Sequence, residues 1–362
     1  MKGGRPRKRK RLPRVIGNPA DPLGMASRLT GYLEWLAVRN YSLQTVEVRR
    51  EGLGVFIRWA AERGLNRPTE ITKPILERYQ RWLFHYRNEH TERPLSVAVQ
   101  RMRLSHVRGF FRFLMRQNYL LYNPAADLEL PRAEHRLPRS VMSAGEAEKV
   151  LALPGTDEPI GLRDRTILEL LYSTGLRRTE LVSLAVGDVD FEREVLLVRL
   201  GKGKKDRVVP VGERALVWLR RYLDDVRPKL LVGPDEGVLF LTGAGLPFLP
   251  ASMTQLVSHY VREAALGKRG GCHIFRHTMA TLMLENGADV RIVQEMLGHS
   301  ELSSTQIYTH VAIRQLKAVH RQTHPSATIE ARPARDAGAA VDERQLELFA
   351  ALASEAREEE TP

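Results

Sequence analysis

The sequence predicts a mainly α-helical protein with a small antiparallel β-sheet, divided into a helical N-terminal domain and an α+β C-terminal domain. Three observations carry this. Apolar residues across 25–121 recur at helical spacing with no strand-like alternation. Residues 194–200 and 207–211 are β-branched runs parted by a glycine- and lysine-rich hexapeptide, as in a hairpin. Between the two regions, residues 123–138 are charged, proline-punctuated and aperiodic, the composition of a linker.

Residues 1–14 carry eight basic side chains and no acid, so 1–22 is expected to be a disordered basic arm. A solubilising tail and a phosphate-contacting arm both fit that composition. The first helix shows Leu29, Tyr32, Leu33 and Leu36 on one face. A second follows Ser42, with Val46, Leu53, Phe56 and Ala60, and stops at Gly64. Thr72, with Pro74 in the first turn, opens a third helix carrying Ile75, Tyr79, Trp82 and Tyr86. After Ser96 a fourth repeats Leu104, Val107, Phe111 and Leu114. Four such helices make a bundle over 23–122. Arg101, Arg103, His106, Arg108, Arg112 and Arg116 fall mostly off the fourth stripe. Arginine in excess of acid there makes Arg101, Arg103, Arg108 and Arg112 candidate DNA contacts.

The second domain is expected over 139–326. Ser143 and Glu146 form a capping box, and 162–173 is a buried helix ended by Gly175. The hairpin presents Lys202, Lys204 and Lys205 at its tip, and 237–242 reads as a third strand. Helices resume over 250–266, 273–286, 289–297 and 304–323, with Pro325 as a stop. The 304–323 helix is opened by a Ser303–Gln306 capping box, which holds Tyr308 in its second turn. Residues 327–362 are an acidic, alanine-rich tail. Asp342, Gln345, Leu346, Phe349 and Leu352 suggest one more amphipathic helix there, with no obvious core of its own to join.

Composition narrows function. No stretch approaches the ~18 apolar residues of a membrane span, and the basic N-terminus runs into a Pro/Gly/Asn segment and not the apolar core of a signal peptide. The single cysteine, Cys272, cannot form an internal disulfide, so a reducing cytoplasmic setting is expected. A formal charge of +13 favours a polyanionic partner, nucleic acid before membrane.

Four polar groups of residues then fit one chemistry. Arg177 follows the Gly175 helix stop, so a turn delivers its side chain. His273 and Arg276 stand at i and i+3, on one side of a helix start. Lys202 adds a mobile charge, and His299 precedes the helix of Tyr308. Two guanidinium groups can clamp a phosphodiester, a histidine and a lysine can move protons, and a tyrosine can attack. His273 and His277 also have the spacing of a zinc pair, but Arg276 puts a positive charge where a metalloprotease carries glutamate. No carboxylate cluster suited to Mg²⁺ stands out.

TGLRRTEL around Arg177, GKGKKDR with Lys202, HIFRHTMAT with His273 and Arg276, and LGHSELSSTQIYTHV with His299 and Tyr308 occur in that order. Together they resemble the tyrosine recombinases of the phage-integrase family, most closely the Xer-type and mobile-element integrases, over residues 25–326. The resemblance implies a helical core-binding domain and a catalytic domain acting on duplex DNA at specific sites, as a tetramer on two sites, in some cases with a second recombinase or accessory protein. It implies that Tyr308 attacks the scissile phosphate to give a 3′-phosphotyrosyl link. By the same token Arg177 and Arg276 stabilise the transition state, His299 hydrogen-bonds a phosphate oxygen, and His273 assists proton transfer. Lys202 is then the general acid and Glu180 orients Arg177. Neither a nucleotide cofactor nor a metal is implied. Phe275 and Cys272 depart from the leucine and proline commoner at their positions, which removes no catalytic group. A type IB topoisomerase, sharing the chemistry, and a catalytically silent DNA-binding regulator remain the alternatives.

Overall fold

The computed structural model describes residues 21–88, 92–132, 141–199, 206–298, 310–328 and 343–360. The chain forms two compact units, Met1–Glu134 and His135–Pro362. None of the described helices is long and apolar enough to cross a membrane.

The first unit is built from α1 (Met25–Val38), α2 (Leu43–Ala61), α3 (Lys73–His85) and α4 (Val97–Arg116). Local chemistry sets their starts. The Ser42 and Ser96 hydroxyls accept from the Thr45 and Val99 amides at 3.1 and 3.3 Å, satisfying donors the helices cannot. The inward faces meet in an aromatic core that includes Tyr32, Phe56, Tyr79, Phe110 and Phe111. Of the basic residues on α4, Arg108 and Arg112 line a surface pocket with Arg49 and Ser105, and Arg103 lies 5.9 Å from the Tyr86 ring centroid. Arg101 is engaged differently, donating to the Pro131 carbonyl. His106 does not join this basic face. It is buried beside Gly52, where any Cβ would collide with its ring, and burial, then the charges of Arg49 and Arg103, hold its pKa down to about 4.

In the second unit the expected capping box opens α5 (Ala144–Leu151), with Ser143 and Glu146 exchanging bonds of 2.7 and 3.2 Å. The long helix α6 (Pro159–Thr174) is buried on nearly every face and ends at Gly175; α7 (Arg178–Ser183) follows. Strands β1 (Val189–Asp190), β2 (Val195–Val198) and β3 (Arg207–Pro210) form an antiparallel sheet in that order, with Val195 opposite Pro210 and Val198 opposite Arg207. Next come α8 (Glu213–Arg221), α9 (Arg227–Leu230), α10 (Pro250–Glu263), α11 (Cys272–Glu285), α12 (Val290–Leu297), α13 (His310–Thr323) and α14 (Glu343–Glu360).

Two expectations need correction here. Residues 237–242 are not a strand but make isolated bridges, Ala185 with Val238 and Leu241 with Pro247. The reason is a side chain: the Tyr222 hydroxyl donates to the Leu239 carbonyl at 3.1 Å and accepts from the Leu241 amide at 3.2 Å, taking bonds a neighbouring strand would supply. The third strand is β1, too short to show alternation. The C-terminal helix also does have a core to join. Leu348 and Leu352 are both buried in the core of this unit and Phe349 packs against it, whereas Leu346 is 46% exposed, so the stripe is rotated from the expected one. The Ser303–Gln306 box, the start of the Tyr308 helix, Asp342 and the basic arm lie outside the described residues.

Candidate active site

Gly175 ends α6 with φ of 60°, the left-handed conformation that favours glycine, and a Cβ there would displace the end of the Met279 side chain, 2.4 Å away. The chain then turns, and Arg177 takes the N-cap position of α7 with extended backbone, φ −71° and ψ 151°. Glu180, one turn on, closes a small ring: its carboxylate accepts from the Arg177 amide at 2.9 Å and from Arg177 Nη1 at 2.8 Å. A second guanidinium arrives from β3. Arg207 Nη1 and Nη2 each donate to Glu180 at 2.8 Å, and its Nε donates to the Met296 carbonyl at 3.0 Å. Burial alone would raise the Glu180 pKa, but the hydrogen bonds and charge of Arg207, with Arg177 and Arg276 behind it, hold it well below the usual carboxylate range. One carboxylate thus aligns two arginines and leaves the cluster positive.

Arg276 projects from the second turn of α11 and is almost wholly buried. Its Nη1 donates to the Gly175 carbonyl at 2.7 Å and its Nη2 to the Leu297 carbonyl at 2.8 Å. These belong to the C-terminal ends of α6 and α12, where unpaired carbonyls and the helix dipole favour a cation. Gly298 terminates α12 at φ of 67°, packs against the Arg207 side chain, and accepts from Arg177 Nη2 at 3.3 Å. Burial, then repulsion from Arg177, pulls the Arg276 pKa down to about 10, still high enough to keep it charged near neutrality. Arg177 moves the other way: burial opposes its charge, and Glu180 and Glu355 outweigh burial.

Both arginines also reach one carboxylate on α14. Glu355 Oε1 accepts from Arg177 Nη2 at 2.6 Å, and its Oε2 from Arg276 Nε at 2.9 Å. His273 is buried in the first turn of α11, on the Arg276 side, with its ring centroid 6.2 Å from that of His277 and perpendicular to it. Burial, then the His273 and Arg276 charges, lowers the His277 pKa to about 4. Among the described residues no group of three or more His, Cys, Asp or Glu is placed to hold a metal ion.

Of the expected site residues, Arg177, Glu180, His273 and Arg276 come together in the second unit around the ends of α6, α11 and α12. Lys202, Lys204, Lys205, His299 and Tyr308 lie outside the described residues. Arg101, Arg103, Arg108 and Arg112 belong to the first unit. Sequence reasoning missed Arg207 and Glu355. Arg207 opens a strand and closes the GKGKKDR stretch, where the lysines draw the reading; Glu355 stands seven residues after Leu348, in step with the buried face of α14.

The chain matches the family model described as "Phage integrase family" over residues 140–314. Residues 29–118 match "Phage integrase, N-terminal SAM-like domain". It is 46% identical to the tyrosine recombinase XerC 2 of Ralstonia nicotianae over 90% of this chain and 92% of that protein. It is 41% identical to the tyrosine recombinase XerD of Pseudomonas putida, over 76% of this chain and 89% of that one. Among solved structures, that of XerH site-specific recombinase bound to a palindromic difH substrate, a post-cleavage complex, matches with a TM-score of 0.60. That likeness, at 22% identity over 82% of this chain and 83% of the other, shows the fold.

Proposed function

The chain belongs to the phage integrase family of tyrosine recombinases, and on that premise we propose how its residues carry out site-specific recombination, the cleavage and rejoining of DNA strands through a 3′-phosphotyrosyl intermediate. The observation that carries the reading is the convergence of the buried Arg177 and Arg276 guanidinium groups on the two oxygens of a single carboxylate. A pair of fixed cations that binds two oxygens at once has the geometry to hold the non-bridging oxygens of a phosphodiester and to stabilise the charge that develops on them. Glu180 and Arg207 fix one member of the pair, and two helix termini fix the other, so little reorganisation is needed when the phosphate enters.

Within that frame Tyr308 is the nucleophile, His273 exchanges its proton, His299 bonds a phosphate oxygen, and Lys202 protonates the departing 5′-oxygen. The partner is double-stranded DNA carrying specific recombination sites, touched by Arg101, Arg103, Arg108 and Arg112 of the first unit and by Lys204 and Lys205. Two sites are paired by a tetramer of this chain, alone or with a second recombinase. Action on a mobile element in the cytoplasm is consistent with this reading. The deciding experiment incubates the protein with its own flanking DNA and maps the covalent adduct. A phosphotyrosine at Tyr308 joined to a 3′ end supports the assignment, and an adduct at another residue rejects it.

A further inference from the structure

The last carbonyls of an α-helix have no partner within it. At the end of α12 three successive ones are each taken by a different arginine. Met296 accepts from Arg207 Nε at 3.0 Å, Leu297 from Arg276 Nη2 at 2.8 Å and Gly298 from Arg177 Nη2 at 3.3 Å. Arg276 is thus held on this helix end directly, whereas the Arg177 bond is the longest of the three. The firmer link from Arg177 to the same end runs through Arg207. Its Nη1 and Nη2 grip both oxygens of Glu180 at 2.8 Å, and Glu180 accepts from Arg177 Nη1 at 2.8 Å. Each nitrogen of Arg207 therefore already donates within the protein, and the residue is only 4% exposed, so it serves the frame of the site and not its ligand.

Two further features suit a part that sets a distance. Arg207 stands on β3 opposite Val198, so the sheet fixes its backbone. Gly298, in the left-handed conformation at φ of 67°, leaves room for its side chain: a Cβ there would sit 2.9 Å from Arg207 Cδ. Glu355 also joins Arg177 to Arg276, but as an acceptor shared by both, in the manner read above for the phosphate. A clamp on two oxygens works only while its two cations keep the spacing of those oxygens. We propose that Arg207 is a positioning residue that sets this spacing, by locking the turn of Arg177 to the helix end that carries Arg276. The proposal rests on reading Arg177 and Arg276 as the phosphate clamp.

Two variants of the full-length protein test this. Arg207→Lys keeps the charge, but one ammonium cannot reproduce a fork on two carboxylate oxygens together with a bond to a carbonyl. Gly298→Ala leaves the guanidinium intact and pushes on it from the other side. Each is incubated with a nicked single-site duplex that traps the covalent adduct, carrying either a normal scissile phosphate or one with a non-bridging oxygen replaced by methyl, in each of its two configurations. On the normal phosphate Arg207→Lys should form adduct about 10²-fold more slowly than the parent, the cost of a displacement of ~1 Å near a reacting centre, with gel-shift affinity unchanged. A methyl-substituted phosphate offers a single non-bridging oxygen and needs no spacing, so the gap between parent and variant should shrink to below about tenfold in both configurations. Gly298→Ala should show the same pattern, and it carries the test if Arg207→Lys does not fold. An equal loss on all three substrates would overturn the proposal and make Arg207 a structural counter-ion; recovery in one configuration alone would overturn the spacing role and leave a support for one arginine. Arg177→Ala and Arg276→Ala are the controls for the underlying reading. If both lose adduct equally on all three substrates, the phosphate clamp itself falls, whatever Arg207 does.

Discussion

Arg207 donates two hydrogen bonds of 2.8 Å to Glu180, the same carboxylate that accepts from Arg177 Nη1 at 2.8 Å. Glu180 is therefore a hinge pin between β3 and the turn that presents Arg177. Glu180→Gln keeps the shape but leaves the buried Arg207 without its counter-ion and Arg177 with Glu355 alone. The unfolding free energy should fall by about 3–5 kcal/mol, the usual cost of removing one partner from a buried ionic cluster. Urea denaturation measures this directly. A loss below about 1 kcal/mol would show that Glu355 or solvent compensates.

Tyr308→Phe removes only the hydroxyl, so gel-shift affinity for target DNA should stay near that of the parent while covalent adduct disappears. Retention of adduct at normal yield would remove Tyr308 from the mechanism. Cleavage by the parent protein should persist in excess chelator, because the proposed mechanism assigns the transition-state charge to Arg177 and Arg276; an absolute need for Mg²⁺ would contradict that role.

Much of the helical scaffold is legible locally. Ser42, Ser96 and Ser143 announce their helices within four residues, and Gly175 announces the turn before Arg177. What joins the site is not local. Arg276 reaches the Gly175 carbonyl across 101 residues and Arg207 reaches Met296 across 89, and no periodicity encodes such pairs. Residues 237–242 look like a strand because they are apolar, and the side chains that meet part of their backbone, Tyr222 at Leu239 and Leu241 and Arg227 at Val238, sit in other elements. Leu346 misleads for a related reason: a helix with apolar residues on more than one face can be assigned a stripe only once its partner is known.

Lys202→Ala should slow cleavage by about 10² to 10⁴, the usual worth of a positioned general acid, with DNA affinity little changed. A substrate with sulfur in place of the 5′-bridging oxygen needs no proton on departure, so it should be cleaved by this variant at close to the parental rate. Arg177→Ala should gain far less from the same substrate, because the role proposed for Arg177 is to supply charge and not a proton. Equal rescue of both variants would transfer the acid role to His273, Lys204 or Lys205.

Stability should fall in mild acid, before the carboxylates titrate, because of histidines that no motif flags. His320 Nε2 lies 2.9 Å from the Ser173 carbonyl and His324 Nε2 lies 2.9 Å from the Tyr172 carbonyl, so each donates there. His324 Nδ1 accepts from the Ser326 amide at 3.1 Å, and a second proton on that ring would face a donor. Burial is the main cause that holds His320 down to about 4 and His324 well below the ordinary range; His277 is held to about 4 in the same way. The unfolded chain takes up protons on these rings below pH ~6.5 while the folded chain does not. Their contribution is thus complete above about pH 6.5 and is lost as pH falls toward 4, at up to about 1.4 kcal/mol per ring per pH unit. Urea denaturation at pH 7.5, 6.0 and 5.0 should show the second unit weakening steeply across that window. His320→Gln, which keeps a donor for Ser173, should take one proton out of the slope. A stability that is flat between pH 7 and 5 would mean that these rings open to solvent as readily as they do in the unfolded chain.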